Sequence, residues 1–204
     1  MSVKISVSRS FAASLVIIGI ALNVVMGFVA SLLAIPGIYL DLSGTILTAL
    51  VLGPWWGALT GMLTNITSCL IFGGIVGMPF ALVNALCGIV VGVCRDYGLT
   101  KSWIKFIPTF LLTCLAVSAS ASIIVTFLFG GATGAPQDVL VFALLSATGW
   151  DVLTSVFVAD IVGKPIDVFL EYLICFLVLR ALPEEYRAVT PYARKAVAPV
   201  TKKN

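Results

Sequence analysis

Asp167 and Glu171 stand four residues apart, about one helical turn, so a helix carries both carboxylates on the same face. Lys164 lies just before them, and Asp41, Asp138, Asp151 and Asp160 are the other acids set in or beside apolar stretches. Asn65 and Asn84 add two amides, Asn23 a third that lies deeper in its segment, and Trp150 an aromatic face. An ionisable group at the centre of a bilayer costs about 2.5–3.5 kcal/mol on insertion scales, so such groups mark cavities or pathways. These residue types offer hydrogen bonds and counter-charge rather than bond-making chemistry.

The chain has no histidine, which removes the commonest general base and the commonest transition-metal ligand together. Cys69, Cys87, Cys94, Cys114 and Cys175 lie inside apolar runs without a C-x-x-C pair and read as small core residues. Gly163-Lys164-Pro165 lacks the following Ser or Thr and the upstream Gly of a phosphate-binding loop, so no ATP-driven step is expected from this chain alone. Neither H-E-x-x-H nor G-x-S-x-G occurs. The expectation is a protein with no catalytic residues, no metal and no cofactor.

These groups are carried by a chain of 204 residues, 60% hydrophobic and 10% charged, with a mean hydropathy of +1.15. A soluble domain carries roughly 25% charged residues, so a water-soluble fold is excluded. Without a basic stripe interleaved with aromatics, nucleic acid is excluded as a partner. Uncharged runs extend over 31 positions at 10–40, 53 at 42–94 and 32 at 106–137. A helix rises about 1.5 Å per residue against a hydrocarbon core of about 30 Å, so each run spans the bilayer and the second spans it more than once.

Breakers divide the runs into six crossings. The first helix is expected over 11–35, ending at Ile35-Pro36-Gly37, and a short second starts at Asp41-Leu42-Ser43, with Asp41 or Ser43 as N-cap, and stops at Gly53-Pro54. A third runs to 72, a fourth from Pro79 to 94 and a fifth over 103–129. Residues 137–163, apolar but carrying three aspartates, read as an outer-surface or re-entrant segment, and the sixth helix covers 165–182 before Pro183. The division is a transmembrane domain over 1–183 and a basic cytoplasmic tail over 184–204. Six crossings place Lys4, Arg9, Arg95, Lys101, Lys105 and the basic residues from Arg180 onward on one side, with Lys164 the exception. The positive-inside rule makes that side cytoplasmic, with both termini there. Gly57-x-x-x-Gly61 and Gly88-x-x-x-Gly92 read as internal helix packing. The acids, amides and Trp150 then fall near the outer face, a pattern that suits one outward-opening polar pocket for a small hydrophilic ligand.

From Ile35-Pro36-Gly37-Ile38-Tyr39-Leu40-Asp41-Leu42-Ser43-Gly44-Thr45 through Leu52-Gly53-Pro54-Trp55-Trp56-Gly57 to Gly61-x-x-x-Asn65, the chain resembles the substrate-binding S components of energy-coupling factor (ECF) transporters. Gly163-Lys164-Pro165-Ile166-Asp167 and Leu182-Pro183 resemble the same family. The resemblance implies an all-α, six-helix bundle in the prokaryotic plasma membrane that binds a water-soluble vitamin or related micronutrient near its outer face. It implies as partners a transmembrane coupling protein and two cytoplasmic ATPase subunits, whose ATP hydrolysis releases the substrate inward. Asp41, Asn65, Asn84, Asp167 and Glu171 would supply hydrogen bonds or counter-charge, Lys164 would meet a carboxylate or phosphate, and Trp150 would stack on a ring. Many members carry Ala-x-x-x-Ala in the first helix for docking, and the nearest match here is Ser10-x-x-x-Ser14. A stand-alone small-solute transporter and a membrane sensor module are the competing readings.

Overall fold

Hydrocarbon cannot hydrogen-bond a peptide group, and the chain answers with helix along most of its length. The computed structural model describes residues 8–182, which form α1 (Arg9–Leu33), α2 (Ser43–Leu52), α3 (Pro54–Phe72), a 3-10 turn (Ile75–Phe80), α4 (Ala81–Asp96), α5 (Trp103–Phe129), α6 (Asp138–Thr148) and α7 (Val152–Ala181). Lys4, Pro183 and the tail over 184–204 lie outside the described residues. The all-α membrane architecture is as expected: Arg9–Leu33, Ile75–Asp96 and Trp103–Phe129 are long and apolar enough to cross a bilayer. Ile17, Leu32, Leu70, Ile104, Phe127 and Val162 are exposed on the outside of the bundle, as lipid-facing side chains are.

Local signals set the helix ends. Ser8 Oγ accepts the Phe11 N–H at the start of α1, and Ser102 Oγ accepts the Lys105 N–H at the start of α5. Pro54 occupies the first position of α3, where its missing N–H costs nothing. Gly130 and Gly149 close α5 and α6 in the left-handed conformation that glycine adopts freely.

Two expected boundaries are corrected. The last helix does not begin at Pro165. It begins at Val152, where the Asp151 carboxylate accepts the Thr154 N–H at 3.0 Å and the Thr154 hydroxyl at 2.6 Å, and it runs through Pro165. A proline removes one helical hydrogen bond, and a membrane helix packed against neighbours tolerates that loss. Residues 137–163 are accordingly not one segment: α6 is a separate helix of 11 residues, and the rest belongs to α7. The described residues thus form seven α-helices rather than six, α6 being the one the sequence did not separate.

The helices alternate in direction. Gly19 of α1 meets Gly44 of α2, Gly57 meets Gly88, and Gly92 meets Pro54, all through backbone approaches that leave no room for a Cβ. The Gly57-x-x-x-Gly61 and Gly88-x-x-x-Gly92 motifs therefore face each other across the α3–α4 contact, as internal packing. Tyr172 of α7 bonds Thr113 of α5 at 2.9 Å and packs edge-on to Phe106, which pairs the start of α5 with the end of α7. The first residues of α1 and the last of α7 thus lie at one end of the bundle with Arg95. Leu15, Leu47, Leu50, Val91 and Leu179 form the apolar core there.

Candidate substrate-binding cavity

The second pass is half helix. Only 10 residues of α2 are helical, about 15 Å, so the chain enters the bundle as non-helical backbone over 34–42. Non-helical backbone at membrane depth survives only where protein satisfies its polar groups. Four side chains from three other helices do so at the two ends of α2. Asp167 Oδ1 accepts the N–H groups of Tyr39 at 2.9 Å and Leu40 at 3.1 Å. Glu171 accepts the Leu42 N–H at 2.8 Å and, in a short contact, the Ser43 hydroxyl. Asn23 Oδ1 of α1 accepts the Gly44 N–H at 2.6 Å. At the far end of α2, Arg95 donates to the carbonyls of Leu50 and Val51, both at 3.1 Å.

This corrects the expected cap. Neither Asp41 nor Ser43 caps α2 with its side chain; the first residue outside the helix is Leu42, and the capping groups come from remote helices. Acids at the N-terminal end and an arginine at the C-terminal end also complement the helix dipole. Sequence-local reasoning could not find a cap lying 128 residues away.

A chain of amides continues from this seam. Asn23 Nδ2 donates to Thr45 and Thr64 at 2.9 and 3.0 Å, and the Thr45 hydroxyl donates to Asn84 Oδ1 at 2.6 Å. Asn84 Nδ2 donates to the Asp41 carbonyl at 3.1 Å and to Asn65 Oδ1 at 3.2 Å, and Asn65 Nδ2 donates to the Gly77 carbonyl at 3.1 Å. The amides join α1 to α4 and hold the turn after α3.

Above them a cavity of about 520 Å³ opens at the end of the bundle opposite Arg9, Arg95 and Arg180. That volume suits a vitamin-sized molecule. Its walls include Asp41, Asn65, Asn84 and Lys164, four of the seven residues expected at the site, together with Tyr39, Gln137, Asp138 and Asp160. Lys164 sits 3.5 Å from carboxylates of both Asp160 and Asp167 and 4.7 Å from the centre of the Tyr39 ring. The sequence reading gave Lys164 to an anionic group of a ligand, whereas here its own helix supplies two acids. Asp167 and Glu171 are fully buried behind the wall, engaged with the 39–43 backbone and Ser43. Trp150 lies in the turn before α7, 45% exposed and away from the cavity walls. Ser10 and Ser14 are exposed on the first turns of α1.

Asp160 is a wall residue that the sequence reading left out of the site. The signal was present: 160, 164, 167 and 171 recur at spacings of four, three and four, one continuous helix face. Starting the helix at Pro165 hid it. Among the described residues no cluster of His, Cys, Asp and Glu is arranged to hold a metal, and the five cysteines are unpaired.

A multi-pass helical bundle hollowed at one end into a largely apolar cavity set with a few polar and charged side chains defines a membrane-embedded binding protein. Residues 13–175 match the family model of the ECF transporter substrate-specific component, and the chain belongs to that family. It is a multi-pass membrane protein and a transport subunit that binds a substrate, not an enzyme. Components of this kind work with a coupling protein and ATPase subunits. None of the curated proteins compared with the chain matches it.

Proposed function

We propose that the chain captures one water-soluble vitamin or related micronutrient in the cavity between α3, α4, α5 and α7, from the outer face of the plasma membrane. The observation that carries this reading is the cavity itself, vitamin-sized and walled by Asp41, Asn65, Asn84 and Lys164 at the end of the bundle away from the basic cluster. Asn84 and Asn65 hold the backbone and the turn that shape the cavity, Asp41 faces the ligand, and Asp167 and Glu171 act through the backbone they hold. Binding is noncovalent. Inward release follows docking to a transmembrane coupling protein with two cytoplasmic ATPases, and the exposed pair Ser10 and Ser14 offers a small-residue face on α1 for that docking.

The test is mass spectrometry of small molecules released from the protein, expressed without partners in cells grown on rich medium and purified in detergent. A single nutrient at about one per chain is the expected result, and Asn84→Ala is expected to weaken its rebinding about tenfold while leaving insertion intact. An empty protein that by itself moves solutes into liposomes would overturn the reading.

A further inference from the structure

The hydrogen-bond donors and acceptors of the cavity do not balance. Both amide hydrogens of Asn84 are committed within the protein, and Asn65 gives one of its own to Gly77. Lys164, the single cation of the cavity wall among the described residues, is shared between Asp160 and Asp167 and lies over the Tyr39 ring. Among the charged groups of the wall, Asp41, Asp138 and Asp160 against Lys164, acceptors are in surplus. Asp41 enters the amide chain through its carbonyl, which leaves its half-buried carboxylate at the wall. The Asp160 side chain is about nine-tenths buried, and its Oδ2 has no hydrogen-bond partner. The Gln137 Oε1 is likewise without a partner, while its amide nitrogen donates to the Ala159 carbonyl.

Polar atoms in such positions are normally satisfied, and neither of these has a partner within the protein. A carboxylate or phosphate brought to these walls would meet Asp41, Asp138 and Asp160 with one cation already held by two acids. Like charges placed together under low dielectric repel strongly. A protonated or amino-bearing nitrogen supplies what the walls lack, because charge-assisted hydrogen bonds to carboxylates are the strong ones.

We propose, resting on the capture reading above, that the captured compound is a nitrogen base, cationic or amino-substituted, whose N–H groups are met by Asp41 and Asp160. Asp160 thereby serves as the counter-charge inside the cavity and Lys164 holds it in place, rather than binding an anionic ligand.

The full chain in detergent is heated to release the compound it carries; mass spectrometry in both polarities identifies that compound, and calorimetry titrates it back onto the emptied protein. A nitrogen base is expected, with an affinity that falls as salt rises. Asp41→Asn and Asp160→Asn are each expected to weaken its binding about tenfold or more. A carboxylate or phosphate lacking any basic nitrogen, or an affinity that holds or improves in both variants, overturns the assignment and leaves capture standing. Should the variants fail to fold, the salt titration of the unaltered protein decides, and an affinity that is flat or rises with salt overturns it. A chain that carries and binds no small molecule overturns the capture reading and this assignment together.

Discussion

At the end of the bundle marked by Arg9, Arg95 and Arg180, the space between helices is filled by Leu15, Leu47, Leu50, Val91 and Leu179. At the other end the same helices are joined by Asn23, Thr45, Asn84, Asp167 and Glu171, and a cavity of about 520 Å³ remains between them. The difference lies in the forces. Apolar contact is non-directional and closes every gap it can, to the density of an organic crystal. Hydrogen bonds fix two groups at one separation and leave the volume around them open, so the polar end of the molecule is the one that can hold a ligand. Glycine contacts bridge both regimes: Gly57 against Gly88 brings α3 and α4 to backbone distance, and Gly61 meets Asn84 where the cavity floor begins.

The sharpest way to break this arrangement is Gly88→Leu. Any Cβ there falls on the Gly57 backbone, so the α3–α4 contact must open along its length, and loss of folded protein on size exclusion is expected. Glu171→Ala comes next. It strands the buried Leu42 N–H and the Ser43 hydroxyl, with an expected loss of about 3–5 kcal/mol in detergent unfolding and a fall in ligand affinity. Glu171→Gln keeps an acceptor for Leu42 and should recover part of both. Leu47→Ala tests the opposite end: a loss of about 3 kcal/mol from the cavity it creates, with ligand affinity unchanged. Affinity loss in Leu47→Ala equal to that in Glu171→Ala would erase the distinction between the two ends. The smallest effect belongs to Asp151→Ala, which removes the cap of α7 at an exposed turn and should leave affinity intact. Hydrogen bonds from the Thr154 hydroxyl and N–H hold the Asp151 carboxyl below its ordinary value. A group depressed in the folded state contributes above its unfolded value and loses that contribution as pH falls through the folded one. The cap is therefore complete at neutral pH, and the stability difference between Asp151→Ala and the parent should shrink only in acid below about pH 4.

Much of this was legible in the residues themselves. Charge-free runs announced the membrane helices, Gly-Pro and Gly-Gly pairs marked the turns, and Arg9, Arg95 and Arg180 gathered at one end of the bundle, away from Lys164. The 35–65 stretch carried the family resemblance that the match over 13–175 now establishes. Of the expected site, Asp41, Asn65, Asn84 and Lys164 share the cavity because each interrupts an apolar segment at similar depth. Trp150, expected to stack on a ligand ring, does not, since its place in a turn does not say which way the turn faces. The error at Pro165 had a physical source as well: proline ends helices in water, where a lost hydrogen bond can be replaced outside the helix. A packed membrane helix gives the chain no better alternative.

The sequence by itself determined the solvent, the helical class and the family, because hydropathy and breaker residues act locally and lipid leaves few options. Only the tertiary structure decided what caps α2 and which acids face the cavity. Asp167 and Glu171 read from sequence as ligand contacts, yet they hold the non-helical backbone at 39–43 from a helix more than 120 positions away. Such pairings follow from which helices become neighbours, and no periodicity or spacing along the chain records that choice.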